Sequence, residues 1–181
     1  MDPRVFLLIC LAAASRHQSS VLEVEANDPQ DHAYNETDFQ RLRDAVNSGD
    51  SDRMSRIARA EMWPSFLKAH PEEAWHLFEK LAKAEIGVVR QQAAYSPAWP
   101  MLFETRNAEA WHLFEQLATT DDMIVRMAAF DSPAWPMLLE THKAEAAWLF
   151  EKLATDENGS VRRAAMSSAW PDLVRSNWWE S

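Results

Sequence analysis

The chain has 181 residues, 47% of them hydrophobic and 25% charged, a balance that supports a packed core and excludes a disordered chain. Eighteen lysines and arginines against 28 aspartates and glutamates leave a formal charge of −10, which repels phosphate backbones and argues against a nucleic-acid partner. Three glycines leave little for phosphate-cradling loops, and a single cysteine excludes an intramolecular disulfide framework.

Val5 to Ala14 form a ten-residue apolar run. As a helix it would rise about 15 Å, half of a bilayer core, so no membrane span is expected. Its length and the small residues Ala12 to Ser15 suit a signal peptide over residues 1–14, although Asp2 offsets Arg4 ahead of the run. An unprocessed extension is the other reading, and the compartment stays open between secreted and cytoplasmic. Residues 15–37 are polar, lack periodicity and contain Asn27-Asp28-Pro29, the composition of a flexible linker. Asn35 and Asn158 each head an Asn-x-Ser/Thr acceptor, which matters for glycosylation only in a eukaryotic secretory setting.

Beyond the linker one unit is written about three and a half times. Trp-Pro recurs at Trp63, Trp99, Trp135 and Trp170, at intervals of 36, 36 and 35 residues. Between these lie EEAWHLFEKLA (Glu72 to Ala82), AEAWHLFEQLA (Ala108 to Ala118) and AEAAWLFEKLA (Ala144 to Ala154), each followed by Val-Arg at Val89, Val125 and Val161. This divides the chain into a divergent capping repeat over 38–62, repeats over 63–98, 99–134 and 135–169, and a C-terminal cap over 170–181. In the cap, Phe39 aligns with Trp75, Leu42 with Phe78, Met54 with Arg90 and Ala58 with Ala94.

Within a unit, Leu77, Phe78 and Leu81 fall at helical spacing among good helix formers, and their counterparts repeat the pattern. After a short acidic break a second helix places Val89, Ala93 and Ala94 inward, with Val125, Ala129 and Phe130 at the matching sites. Pro97 and Pro133 should stop it near Tyr95 and Asp131. Pro100, Pro136 and Pro171 suit the first turn of a third, short helix. The fold class is therefore all-α.

An acidic turn leading into Val-Arg-x-x-Ala, over Asp121 to Ala129, Glu157 to Ala165 and more loosely Glu85 to Ala94, resembles the second helix of HEAT repeats, including the lyase-type HEAT family. The resemblance covers roughly residues 38–175 and implies a short right-handed α-solenoid. Two departures stand out: HEAT units normally lack the Ser-Pro-Ala-Trp-Pro segment, and the acid here precedes the arginine by five residues instead of six. Leucine-rich-repeat-variant proteins are the second resemblance, with a shorter unit.

Stacked one per layer, Arg90, Arg126 and Arg162 would form a structural ladder with Glu85, Asp121 and Glu157, fixing the register of neighbouring units. An anion-binding row is the functional alternative. The Trp-Pro tryptophans suit packing between units. Trp75 and Trp111 align with Ala147, so that position tolerates a small residue; plain packing is the first reading, and an outward-facing partner anchor beside Glu73, Glu109 and Glu145 is the functional alternative. Glu73-x-x-His76 and Glu109-x-x-His112 have a spacing used by di-iron sites, but the third copy has Trp148 at the histidine position, and duplication explains the pattern without a metal. No catalytic residue, metal or cofactor is assigned. The functional expectation is a non-catalytic module that binds a protein, basic if the acidic helix faces steer it. The alternative is a HEAT-like lyase or a cofactor-dependent enzyme acting on another protein, using His76 and His112.

Overall fold

The computed structural model describes residues 34–167, and several helix starts in it are set by short polar side chains or by prolines. The segments read as signal peptide (1–14) and C-terminal cap (170–181), most of the linker, and Trp170 lie outside those residues. Asn35 caps helix α1 (Glu36–Asn47) by accepting from the backbone N–H groups of Thr37 and Asp38, while Asp38 answers with a bond to the Asn35 N–H. The helix thus begins inside the stretch expected to be linker. Gly49, at φ +72°, turns the chain out of α1 in the left-handed region that favours glycine. Asp50 then caps α2 (Ser51–Ala58), and its carboxyl is held below the ordinary range by the N–H of Arg53.

Three units of three helices follow. The first holds α3 (Trp63–Ala69), α4 (Pro71–Ala82) and α5 (Gly87–Ala94). The second holds α6 (Trp99–Thr105), α7 (Asn107–Thr119) and α8 (Met123–Phe130). The third holds α9 (Trp135–Thr141), α10 (Lys143–Ala154) and α11 (Gly159–Ser167). No strand occurs among the described residues. Pro64, Pro100 and Pro136 sit in the first turn of each short helix, where a missing N–H costs nothing.

A single residue joins each short helix to the long helix after it: His70, Arg106 and His142, with φ near −140° and ψ of 63°, 51° and 50°. Its N–H closes the short helix on Phe66, Leu102 or Leu138, and its carbonyl opens the long one by accepting from Ala74, Ala110 or Ala146. Both helices are thereby satisfied with no loop between them.

The helices pack in three rows. The short helices contact one another in the order α3–α6–α9, the long ones α1–α4–α7–α10, and the third helices α2–α5–α8–α11. Between rows lies one continuous core. Trp63, Phe78, Trp99, Phe114 and Trp135 run through it as a chain of edge-to-face rings, with successive centroids 5.3, 5.2, 5.2 and 5.5 Å apart. Each indole N–H donates to a last-turn carbonyl of the preceding unit: Trp63 to Ile57 at 2.7 Å, Trp99 to Ala93 at 2.9 Å and Trp135 to Ala129 at 2.9 Å. The tryptophan thus fills the core and satisfies a carbonyl that a short helix leaves open. In the segment read as the capping repeat, Phe39, Leu42, Met54 and Ala58 are buried.

Candidate interaction surface

At the turn edge, where each long helix hands over to the next, one arginine per unit gathers loose carbonyls. Arg90 donates through Nη1 to the carbonyls of Ala84 and Glu85 at 2.7 and 2.8 Å. Arg126 donates to Thr120 at 2.8 Å, and Arg162 to Asp156 and Glu157 at 2.6 and 2.8 Å. Within a unit the arginine therefore takes main-chain oxygens, which the end of the long helix leaves unpaired. The carboxylates that meet Arg90 and Arg126 belong to the next unit and are not those of Glu85 and Asp121. Asp122 Oδ2 lies 3.3 Å from Arg90 Nη2, and Asp156 grips Arg126 in a fork, 2.8 Å from Nε and 2.9 Å from Nη2. Burial would raise the Asp156 carboxyl, but Arg126 and the N–H of Asn158 outweigh it and hold the group below its ordinary value. Asn158 also accepts from Ser160 N–H and donates to the sulfur of Met123, which joins the second unit to the third.

Trp75 and Trp111 are not surface anchors. Their side chains are buried, at 7% and 8% exposure, because the joint residue of the next unit covers each of them. Arg106 lies 5.6 Å above the Trp75 ring, and His142 stacks on Trp111 at 5.6 Å and 22°. His70 meets Phe39 edge-on at 5.5 Å in the same register. The series at 70, 106 and 142 was not singled out from the sequence, because its residue types differ: histidine, arginine, histidine. Its signal was positional only, a polar residue every 36 places between two helical patterns.

The long-helix carboxylates divide. Glu73 is held by Arg43 in a bidentate pair of 2.6 and 2.8 Å, and Arg43 also binds Glu36; both carboxyls are pulled below their usual range by that guanidinium, whose own pKa rises. Glu72 pairs with Arg106. Glu109 is exposed, and Glu145 is half exposed with His142 Nδ1 at 4.0 Å. His76 and His112 stand out in solvent, each with Nδ1 nearest the glutamate one turn later, Glu79 at 4.0 Å and Glu115 at 3.7 Å, not Glu73 or Glu109. Trp148 occupies the equivalent site on α10 and is exposed, with Lys152 Nζ 5.0 Å from its ring. No group of three or more histidine, cysteine, aspartate or glutamate side chains among the described residues is placed to hold a metal ion.

The sequence reading also missed four apolar side chains at the turn edge. Ile86, Val88, Met123 and Ile124 are exposed at the starts of α5 and α8. A signal was present: Val88-Val89 and Ile124-Val125 are adjacent apolar pairs, and neighbours on a helix point about 100° apart, so only one of each pair can face the core. Val89 and Val125 are the buried members.

No helix among the described residues is long and apolar enough to cross a membrane. Comparison with protein-family models, curated proteins and solved structures found no match to this chain.

Proposed function

We propose that the units form a short right-handed α-solenoid of HEAT-like repeats, and that it works as a non-catalytic module for binding a basic protein. The three in-register helix rows support the first part, since each repeat position then recurs as a row on the surface. One observation carries the second part. Carboxylates are displayed layer after layer on two faces, at Glu109 and Glu145 along the long helices and at Glu85, Asp121 and Glu157 along the turns, on a chain of charge −10. Such a surface raises the encounter rate with a cationic partner and rejects anionic ones. His76 and His112 lend no support to the enzymatic alternative, because each sits in solvent beside its own glutamate.

The test is affinity capture on the full chain from its native source, eluted by a salt gradient. A stoichiometric basic protein leaving at moderate salt is the expected result, since exposed charge pairs are screened within about 8 Å at physiological ionic strength. Recovery of a bound metal or pigment in the native protein, with no protein partner, would reverse the reading.

A further inference from the structure

Five large apolar side chains are exposed among the described residues, and four of them lie together. Val88 and Ile124 are the second residues of α5 and α8, at the same repeat position, and α5 packs on α8. Ile86 and Met123 flank them at the turn. Their exposures are 43% for Ile86, 45% for Val88, 40% for Met123 and 43% for Ile124. In the layers on either side, the position of Val88 and Ile124 is held by Asp52 and Ser160, both exposed, so the apolar strip covers two layers and ends. Along the turn edge it is bordered by the exposed carboxylates of Glu85 and Asp121, with Glu157 one layer on. Toward α2 it meets a shallow groove of about 460 Å³, lined by Ser55, Arg56, Arg59, Val88 and Gln92.

We propose that this strip docks one amphipathic helix of a partner protein, with its apolar side chains on Ile86, Val88, Met123 and Ile124 and lysines or arginines along the flank that faces Glu85 and Asp121. The proposal rests on the protein-binding reading above and gives it a face and a partner chemistry. Packed helices lie roughly 8–10 Å apart, and side chains at i, i+3 or i+4, and i+7 of a docked helix cover that span at about 1.5 Å per residue. Charge selects the occupant. A second copy of this chain would set the same carboxylates against themselves, and an anionic lipid surface would be repelled in the same way. Arg56 and Arg59 line the groove toward α2 and disfavour cations there, which leaves the turn edge as the place for the basic flank of the helix.

The experiment titrates the full chain with a labelled 18-residue helical peptide of leucine and lysine, followed by fluorescence anisotropy, with a leucine–glutamate peptide as counterpart. The lysine peptide is expected to bind and the glutamate peptide to bind at least tenfold more weakly. Val88→Glu with Ile124→Glu should weaken binding by on the order of tenfold or more, since both anchors are lost. Glu85→Gln with Asp121→Asn should weaken it several-fold at low salt and much less at high salt. Glu104→Gln with Glu140→Gln removes as many charges from the exposed ends of the short helices α6 and α9, away from both carboxylate faces, and should leave binding unchanged. All these positions are exposed, and unchanged thermal unfolding confirms that each variant is folded. Loss of binding only in Glu109→Gln with Glu145→Gln, on the long-helix face, would overturn this inference while leaving the protein-binding reading in place. Concentration-dependent self-association abolished by Val88→Glu would give the strip to a second copy and also overturn it. Binding of neither peptide by a monomeric chain would overturn both.

Discussion

The aromatic core and the arginine edge run through the same layers and differ in how strictly they repeat. In the core Trp63, Trp99 and Trp135 make the same contacts, each edge-on to phenylalanine with its indole N–H on a carbonyl of the preceding unit. At the edge the arginine–carbonyl bond repeats, but the carboxylate does not. Arg126 has a two-pronged grip from Asp156, with both side chains about one-tenth exposed, whereas Arg90 has one longer contact from Asp122, with the two side chains 20% and 31% exposed. The core therefore holds the layers in register, and the edge sets how tightly individual layers are clamped.

The core is the place to break that comparison hardest. Trp99 is fully buried between Phe78 and Phe114 with Phe103 alongside, and Trp99→Ala removes three ring contacts, a hydrogen bond and the volume of an indole at once. A loss of about 3–5 kcal/mol is expected from urea denaturation, the range for large core truncations. A loss below about 1 kcal/mol would mean that the ladder is only a filling and does not link the layers.

The edge should respond unequally. Asp156→Ala leaves Arg126 with no carboxylate in a site that excludes most water, for a cost of about 3 kcal/mol. Asp122→Ala loses a partly exposed pair and the cap it provides to the N–H groups of Ile124 and Val125, together about 1–2 kcal/mol. Equal costs would erase the distinction between the two clamps.

Acid offers a second way to separate the clamps. The Asp156 carboxyl is lowered in the folded state, so as pH falls the unfolded chain takes up a proton first. The stabilisation is complete above the unfolded value of about 4 and is lost as pH drops through the folded one. The slope of stability against pH below about 4 should be shallower in Asp156→Ala than in the parent. An unchanged slope would remove Asp156 from the acid response and leave it to Glu36, Glu73 and Asp50, whose carboxyls are lowered as well.

Much of the core was legible because duplication reports it directly. Trp63, Trp99 and Trp135 share a position, neighbour the same proline and do the same job, and helix ends at Tyr95 and Asp131 followed from the prolines after them. Contacts between layers were less legible. Asp122 and Asp156 are not equivalent to one another in the repeat, so no periodic pattern marks them as arginine partners. The outward reading of Trp75 and Trp111 rested on their alignment with Ala147, but what decides their burial is Arg106 and His142, about 31 residues further on in each case. Side-chain size at one position says little about cover supplied by the next unit.

The smallest expected effect tests the edge most directly, because it adds a clamp where one is missing. Position 120 is the repeat equivalent of Asp156, and it holds threonine. Arg90 Nε is buried there without a hydrogen-bond partner, and an open groove of about 660 Å³, lined in part by Arg90, Thr120 and Asp122, adjoins it. Thr120→Asp would supply the acceptor in the register that Asp156 uses on Arg126, while the Thr120 carbonyl that binds Arg126 belongs to the backbone and is retained. The new charge also stands beside Asp121 and Asp122, which offsets part of the gain. A net stabilisation of about 0.5–1 kcal/mol is expected, and it should disappear in an Arg90→Ala background, since the double-mutant cycle isolates the pair. A gain that survives without Arg90 would show that aspartate helps the turn itself, and that the fork around Arg126 is a property of the third unit alone.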